Sequence, residues 1–207
     1  MSNTKYVLRA IVLSLASSVL VFLLVGMVLA DSWRVTTKRT ITAAPAPLTS
    51  RLIDLREWPT WSEVDFELGN PTTREFLGEA GESDQAATWR GPKGIATVLM
   101  TRVEASADGG TVEYTIGYKY GPDGDSFGGK FTGSIVWQLE GENTVVTWTE
   151  NGELMNLMQR WNNWFGALQV KVGQVQSASL AGLEENIRRE ADEAVKPGGN
   201  ADKVAPK

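Results

Sequence analysis

One stretch of the sequence, from Leu154 to about Ile187, restricts the possible folds more than any other. Nine apolar residues and one serine recur there in steps of three and four, which places them in a stripe along one side of an α-helix. They are Leu154, Met158, Trp161, Phe165, Leu168, Val172, Val175, Ser179, Leu183 and Ile187. Such a helix must bury this side against a wide apolar surface. The chain is therefore predicted to end in a long amphipathic helix that packs on a sheet.

The hundred residues before this helix have the pattern of an antiparallel meander. Six strand-like segments are separated by turns rich in glycine and aspartate, two of which also contain proline. They are 74–77, 86–90, 95–103, 111–120, 131–139 and 144–150. Before them, Trp33 to Thr42 alternates with a period of two and predicts another strand. Two short helices are expected after that strand, the first because Leu48, Leu52 and Leu55 recur at helical spacing.

Together these elements predict an α+β fold in which a curved antiparallel sheet wraps around the long C-terminal helix. The order is one strand, two short helices, the six-stranded meander and the long helix. The helix and the sheet each bury one apolar face against the other. We expect room for a small apolar molecule between these two faces. We assign residues 32–190 to this domain. Residues 191–207 have little to bury, so a disordered tail is predicted.

Residues 1–31 are predicted to hold the chain in a membrane. No residue from Ala10 to Ala30 is charged, and these twenty-one residues would span about 31 Å as a helix. Lys5 and Arg9 precede the span, which favours a cytoplasmic N-terminus. We predict a single-pass protein of the cell membrane, with residues 7–30 in the bilayer and an extracytoplasmic domain. The alternative is a secretory signal peptide cleaved after Ala30.

The amino-acid composition excludes several kinds of chemistry. Histidine and cysteine are both absent, which removes cysteine nucleophiles, histidine bases and the usual transition-metal ligands. Any catalysis would have to depend on carboxylates, lysine, tyrosine or serine. The net charge of −5 provides no basic surface for nucleic acid. We therefore predict no cofactor, no metal site and no nucleic-acid partner.

Particular residues within this order of elements resemble the SRPBCC superfamily, the START-like and polyketide cyclase/dehydrase-type proteins. The matching segments are 41–45, Asp54–Ser62 with its Trp-Pro-x-Trp-Ser run, 129–133, 145–148 and the closing helix. The similarity is greatest to bacterial members that carry one N-terminal membrane helix. The resemblance covers roughly Trp33 to Arg189. It implies a helix-grip fold with a deep, mostly apolar pocket, but no shared reaction.

The predicted function is that of a membrane-anchored module that binds an apolar or amphipathic, lipid-like molecule between the sheet and the C-terminal helix. Candidate ligand-binding residues are the large side chains expected to face that space. They are Trp58, Trp61, Trp89, Tyr114, Tyr118, Trp137, Trp148, Met158, Trp161, Phe165 and Leu168. For the aromatic cluster from Trp161 to Phe165, three interpretations stay open: core packing, a cavity wall, or contact with the membrane interface.

Two other functions stay open. In the first, a carboxylate with a raised pKa inside the pocket acts as a general acid or base in a cyclase- or hydrolase-type enzyme. The candidates are Glu113, Glu150 and Glu153, although nothing in their spacing pairs them. In the second, the eight tryptophans fill the space completely and the domain is a structural or interaction module without a cavity.

Overall fold

The computed structural model describes residues 2–71, 73–121 and 126–195. The described elements are, in chain order, α1 (Ser2–Val28), β1 (Ser32–Ile41), α2 (Pro45–Leu52), α3 (Trp58–Trp61), α4 (Val64–Leu68), β2 (Thr73–Leu77), β3 (Ala86–Gly91), β4 (Gly94–Ser106), β5 (Gly109–Tyr120), β6 (Ser126–Glu140), β7 (Asn143–Glu153), α5 (Leu157–Trp164) and α6 (Ala167–Val195). All seven predicted strands are confirmed, and three short helices follow β1 where two were predicted.

The strands of the described chain form one antiparallel sheet in the order β1-β7-β6-β5-β4-β3-β2. Strands β2 to β7 make a meander of consecutive hairpins, and β1 pairs with β7 at the far edge. The register shifts between Met100 and Arg102 in β4 and between Tyr118 and Lys119 in β5. Such irregularities bend strands and increase their twist, which helps the sheet to curve around a helix.

The second half of α6 packs in the core between the sheet and the short helices. Ser179, Leu183 and Ile187 are buried there, as the stripe predicted, together with Leu180, which the stripe did not include. Gly182 lets α6 approach α3 closely, because a Cβ at this position would lie 2.6 Å from the carbonyl oxygen of Trp61. The predicted fold, a curved sheet that grips a C-terminal helix, is therefore confirmed.

The prediction of one uninterrupted helix from Leu154 to Ile187 is wrong in its first third. Helix α5 ends at Trp164, and Gly166 adopts a left-handed backbone conformation with φ 75° before α6 begins at Ala167. Glycine commonly ends helices in this way because it has no Cβ to clash. The apolar spacing continues across the break, so the pattern alone did not reveal that this stretch forms two helices.

Helix α1 projects from the domain, with most of its apolar side chains exposed. Within the described residues it is the one helix long and apolar enough to cross a membrane, from Lys5 to Val28. At the other end of the chain, α6 continues to Val195, past the predicted domain boundary at residue 190. The rest of the predicted disordered tail, residues 196–207, lies outside the described residues.

Candidate functional site

A cavity of about 800 Å³ lies between the sheet and the helices α4, α5 and the first half of α6. Its volume falls in the range of ligand-binding pockets, roughly 300–1,000 Å³. The walls carry large apolar side chains from several strands, among them Trp89, Val98 and Ile116. Helix α6 contributes Val172 and Val175 from the opposite side. The fold thus leaves a hollow where the sheet stands away from the first half of α6.

Six of the eleven predicted ligand-binding residues line this cavity. They are Trp58, Trp89, Tyr114, Tyr118, Trp148 and Leu168. The strand residues were found through the period-two alternation, because side chains on one face of a strand point to the same side of the sheet. Trp58 comes from α3, and Leu168 lies in the first turn of α6.

Two further candidates, Trp61 and Trp137, are buried in the core away from the cavity wall. Trp61 packs edge-on against Trp148, with ring centroids 5.9 Å apart. The indole of Trp137 donates a hydrogen bond to Oγ1 of Thr49 in α2 at 2.9 Å. The inward face of β6 extends beyond the hollow to the region closed by α2, so inward orientation alone did not distinguish a cavity wall from core.

The remaining three candidates, Met158, Trp161 and Phe165, also lie outside the cavity. Trp161 stacks on Phe22 of α1 with ring centroids 4.7 Å apart, and Phe165 stacks on Trp161. Met158 and Phe165 are largely exposed. Met158 and Trp161 belong to α5 and Phe165 directly follows it, ahead of the break at Gly166 that precedes α6. Their placement on the cavity wall followed from the incorrect assumption of one continuous helix.

A polar cluster is built into the cavity wall. Two of its members, Tyr114 and Trp148, were predicted as ligand-binding residues, and Glu150 was predicted only as a candidate acid or base. Tyr114 donates a hydrogen bond from its hydroxyl to Oε1 of Glu150 at 2.6 Å, and the indole of Trp148 donates to the Tyr114 hydroxyl at 2.7 Å. Gln176 of α6 donates to Oε2 of Glu150 at 3.3 Å and accepts from Thr37 of β1 at 2.7 Å. The cluster therefore links β5, β7, β1 and α6.

The geometry of this cluster depends on Gly133 in β6. Tyr114, Gly133 and Glu150 are successive partners across β5, β6 and β7. The ring of Tyr114 lies over the glycine, where a Cβ would overlap its ring carbons and hydroxyl. Because position 133 has no side chain, the tyrosine can reach across one strand to the carboxyl group on the next.

Burial raises the pKa of Glu150 above its ordinary value of 4.5, and the hydrogen bonds from Tyr114 and Gln176 oppose this shift only in part. Burial, together with the nearby Glu150, also raises the pKa of Tyr114 well above its ordinary value. Of the three carboxyl candidates, Glu150 is the buried one. Glu113 pairs with Arg102 at 3.1 Å, and Glu153 is exposed at the rim.

The exposed residues that line the cavity lie on α5 and the start of α6, and also at the ends of strands, where Lys93, Tyr120 and Lys130 line it. Lys171 of α6 forms an ion pair with Glu67 of α4 at 2.8 Å, which joins the two helices at the opening. The hydrogen bond to Glu67 raises the pKa of Lys171. On the α5 side, Met155, Gln159 and Asn162 line the space. The opening thus combines polar side chains with the exposed apolar Met155.

The curved antiparallel sheet, the gripped helix and the cavity between them define the helix-grip fold. Residues 32–188 match the family model described as polyketide cyclase / dehydrase and lipid transport, and the chain belongs to this family. The resemblance stated from the sequence is thereby confirmed. None of the curated proteins compared with the chain matches it.

Solved structures share the fold at low sequence identity. A protein from Rhizobium leguminosarum is 13% identical with a TM-score of 0.55, covering 77% of this chain and 96% of its own. The structure of Ara h 8.0201 is 11% identical with a TM-score of 0.52, covering 76% of this chain and 99% of its own. A hypothetical protein from Helicobacter pylori is 8% identical with a TM-score of 0.52, covering 74% and 87%. At these identities the likeness extends to the fold alone.

Proposed function

We propose that the protein is a membrane-anchored binding module whose cavity takes up an apolar or amphipathic, lipid-like molecule. The observation that carries this proposal is the cavity of about 800 Å³, with apolar walls and one buried polar cluster. An apolar chain placed there would remove its surface from water, at roughly 25 cal/mol per Å² buried. The family's association with lipid transport supports the same class of ligand.

The cluster around Glu150 gives the cavity a polar end. Both Tyr114 and Glu150 line the cavity. A carboxyl group has more hydrogen-bonding positions than the two contacts made by Tyr114 and Gln176. A ligand hydroxyl could therefore donate a hydrogen bond to Glu150, while the apolar part of the ligand lies against Trp89 and Ile116. This arrangement favours an amphipathic ligand over a pure hydrocarbon.

Helix α1 would tether this module to the membrane that holds its ligands. Its candidate span, Lys5–Val28, is about 36 Å long, which is enough to cross a hydrocarbon layer of ~30 Å. Because Lys5 and Arg9 precede the span, we place the domain on the extracytoplasmic side. Labelling of a cysteine introduced at the exposed Thr132 by a membrane-impermeant maleimide on intact cells tests this side. If that cysteine is labelled only after the cells are lysed, the domain lies on the cytoplasmic side instead.

The proposed function predicts that Val172→Trp lowers affinity for a fatty acid by about tenfold or more, equal to ~1.4 kcal/mol. Val172 lines the cavity, so an indole there occupies space that the ligand needs. The measurement is a titration of the full chain in lipid nanodiscs with cis-parinaric acid, followed by energy transfer from tryptophan, with empty nanodiscs subtracted.

The matched control is Val170→Trp, which adds the same indole to the same helix at a position that is 60% exposed. It should leave the affinity unchanged. Equal losses in both variants, or no saturable binding by the unmodified chain, would count against a ligand site beneath α6.

A second candidate function is general acid–base catalysis by Glu150. The raised pKa of this buried carboxyl favours it, because a carboxyl group that keeps its proton to a higher pH than usual is better suited to act as a general acid. Both carboxyl oxygens are already hydrogen-bonded to Tyr114 and Gln176, which fits a structural or ligand-orienting role at least as well. Turnover of a bound compound by the unmodified chain that is lost in Glu150→Gln would establish catalysis. If the unmodified chain turns over no bound compound, ligand binding is the function that remains.

A further inference from the structure

Helix α5 lies between the cavity and the membrane helix. Gln159 and Asn162 on one side of α5 line the cavity. Leu157 and Trp161 lie on the other side and contact α1. At 3.6 residues per turn, these two pairs project in nearly opposite directions. A single helix of eight residues therefore separates the ligand space from the tether.

The contact between α5 and α1 is close and involves the last two turns of α1. Besides the ring stack of Trp161 on Phe22, a Cβ at Gly26 would lie 2.8 Å from both the Leu157 side chain and the Trp161 indole nitrogen. Arg160 donates a hydrogen bond to the carbonyl oxygen of Met27 at 3.3 Å. Glycine at position 26 thus allows α5 to lie directly against the membrane helix.

The position of this contact along α1 sets the depth of α5. The apolar span of 24 residues, Lys5–Val28, is about 36 Å long, whereas the hydrocarbon layer is ~30 Å thick. A centred span leaves about 3 Å beyond the hydrocarbon at each end. Phe22 lies about 9 Å before Val28, which puts it ~6 Å inside the boundary. Trp161, stacked on Phe22, then lies at the depth to which interfacial helices bury their apolar face, roughly 5–10 Å into the boundary between headgroups and acyl chains.

Exposed apolar side chains surround this contact. Met155, Met158, Trp164 and Phe165 are 67%, 62%, 66% and 74% exposed. We call these four residues the α5 patch. Single apolar residues on a surface are ordinary, but a group of large ones beside a membrane helix marks a surface that meets lipid. Because the patch continues the lipid-facing surface of α1, the bilayer itself is the occupant that the geometry favours.

We propose that the α5 patch lies in the interface of the bilayer that α1 spans, and that the opening beside α5 is the port through which ligand passes between membrane and cavity. Met155 belongs to both surfaces, since it is part of the patch and lines the cavity. An apolar chain moving along this path would stay in contact with apolar groups. The port rests on the proposed function; the membrane contact of the patch does not.

The absence of cysteine allows the membrane contact to be tested with single labels. Nitroxides are attached to Met158→Cys and Trp164→Cys in the full chain, reconstituted in phosphatidylcholine–phosphatidylglycerol vesicles. Leu99→Cys on the outer face of the sheet, where the native residue is 43% exposed, is the control. At positions 158 and 164, collisions with oxygen should exceed those with a water-soluble nickel chelate. At position 99 the order should reverse.

Equal access of the nickel chelate at all three positions would overturn the membrane contact. Loss of access to both reagents, with spin–spin broadening between labels at position 158, would show that a second copy of the chain covers the patch instead. The near-ultraviolet circular dichroism of the tryptophans verifies that each labelled variant is folded.

The port is tested by the rate of loading. Met158→Asp combined with Trp164→Asp should slow transfer of cis-parinaric acid from donor vesicles by about tenfold, because aspartates resist placement in the interface. Neither residue lines the cavity, so the equilibrium affinity for acid added from solution should be unchanged. Leu99→Asp, on the outer face of the sheet, should load at the normal rate.

An unchanged loading rate in the double variant would overturn the port. A loss of equilibrium affinity equal to the loss of rate would also overturn it, because the substitutions would then act on the cavity. If the unmodified chain binds no acid by either route, the proposed function fails and the port with it. The spin-label result still decides whether the α5 patch contacts the membrane.

Discussion

Replacing Gly133 by alanine is expected to lower the free energy of unfolding of the domain by about 3 kcal/mol. The new Cβ would overlap the ring of Tyr114, which is fully buried and packs edge-on against Trp58 at 5.2 Å. The tyrosine must then leave its place over β6. Its movement also removes the hydrogen bonds to Glu150 and from Trp148, and each buried group left unpaired costs a further ~1–3 kcal/mol.

The matched control for this substitution is Gly117→Ala in the neighbouring strand β5. A Cβ at Gly117 has no atom within 4 Å. Since glycine weakens the interior of a strand, alanine there should be neutral or stabilise by up to ~1 kcal/mol. Urea unfolding of the full chain at fixed detergent, followed by tryptophan fluorescence, measures both. Equal stabilities for the two variants would contradict the placement of Tyr114 over Gly133.

Glu150 is expected to make the stability of the domain fall as the pH rises above about 4.5. Burial raises the pKa of this carboxyl in the folded state, so the folded chain holds the proton more tightly than the unfolded chain does. The resulting contribution is complete below the unfolded pKa and is lost as the pH rises through the folded pKa. One proton can produce a slope of at most about 1.4 kcal/mol per pH unit.

Substitution by Glu150→Gln should remove this slope, because glutamine still accepts the hydrogen bond from Tyr114 but cannot ionise. The difference in unfolding free energy between the variant and the unmodified chain should therefore increase from pH 5 to pH 8. Burial raises the pKa values of Tyr114 and Tyr118, so neither ionises in that range. Glu153→Gln, at an exposed position of the same strand, is the control. Parallel pH profiles for Glu150→Gln and the unmodified chain would contradict this role.

Much of the architecture could be predicted because strands and helices leave periodic patterns. The alternation in 111–120 identified the inward side of β5, and with it Tyr114 and Tyr118 on the cavity wall. The spacing of Leu183 and Ile187 identified the buried side of α6. In each case the signal is local, because the residues on the buried face of a strand or helix lie two, three or four positions apart in the sequence.

The errors have a common physical origin in contacts between distant segments. The break at Gly166 leaves the apolar spacing nearly in phase, so Trp161 and Phe165 were expected on the sheet. Their actual contact with Phe22 of α1 joins residues separated by most of the chain. No pattern within one segment indicates which other segment it meets.

The polar cluster was predicted only in part, for a related reason. The sequence placed Glu150 among three candidate carboxylates but paired it with no other residue. Glu150 alternates with half-buried positions in the same way as the apolar Trp148, and its inward orientation is consistent with the strand pattern. Its partners are Tyr114 across a glycine and Gln176 from α6. A glutamate at an inward position, level with a glycine on the neighbouring strand, is the signal that could have revealed it.

The most direct test is to map where a photoreactive fatty acid attaches to the full chain in lipid vesicles. A diazirine-bearing acid is bound, irradiated, and located by mass spectrometry of peptides. Attachment is expected on Ile116 or Tyr118 of β5 and on Val172 or Val175 of α6, which face each other across the hollow. Val172→Trp should abolish these adducts and Val170→Trp should retain them. Adducts confined to α1 and α5 would mean that the acid meets only the membrane-facing surface and that the hollow holds no such ligand.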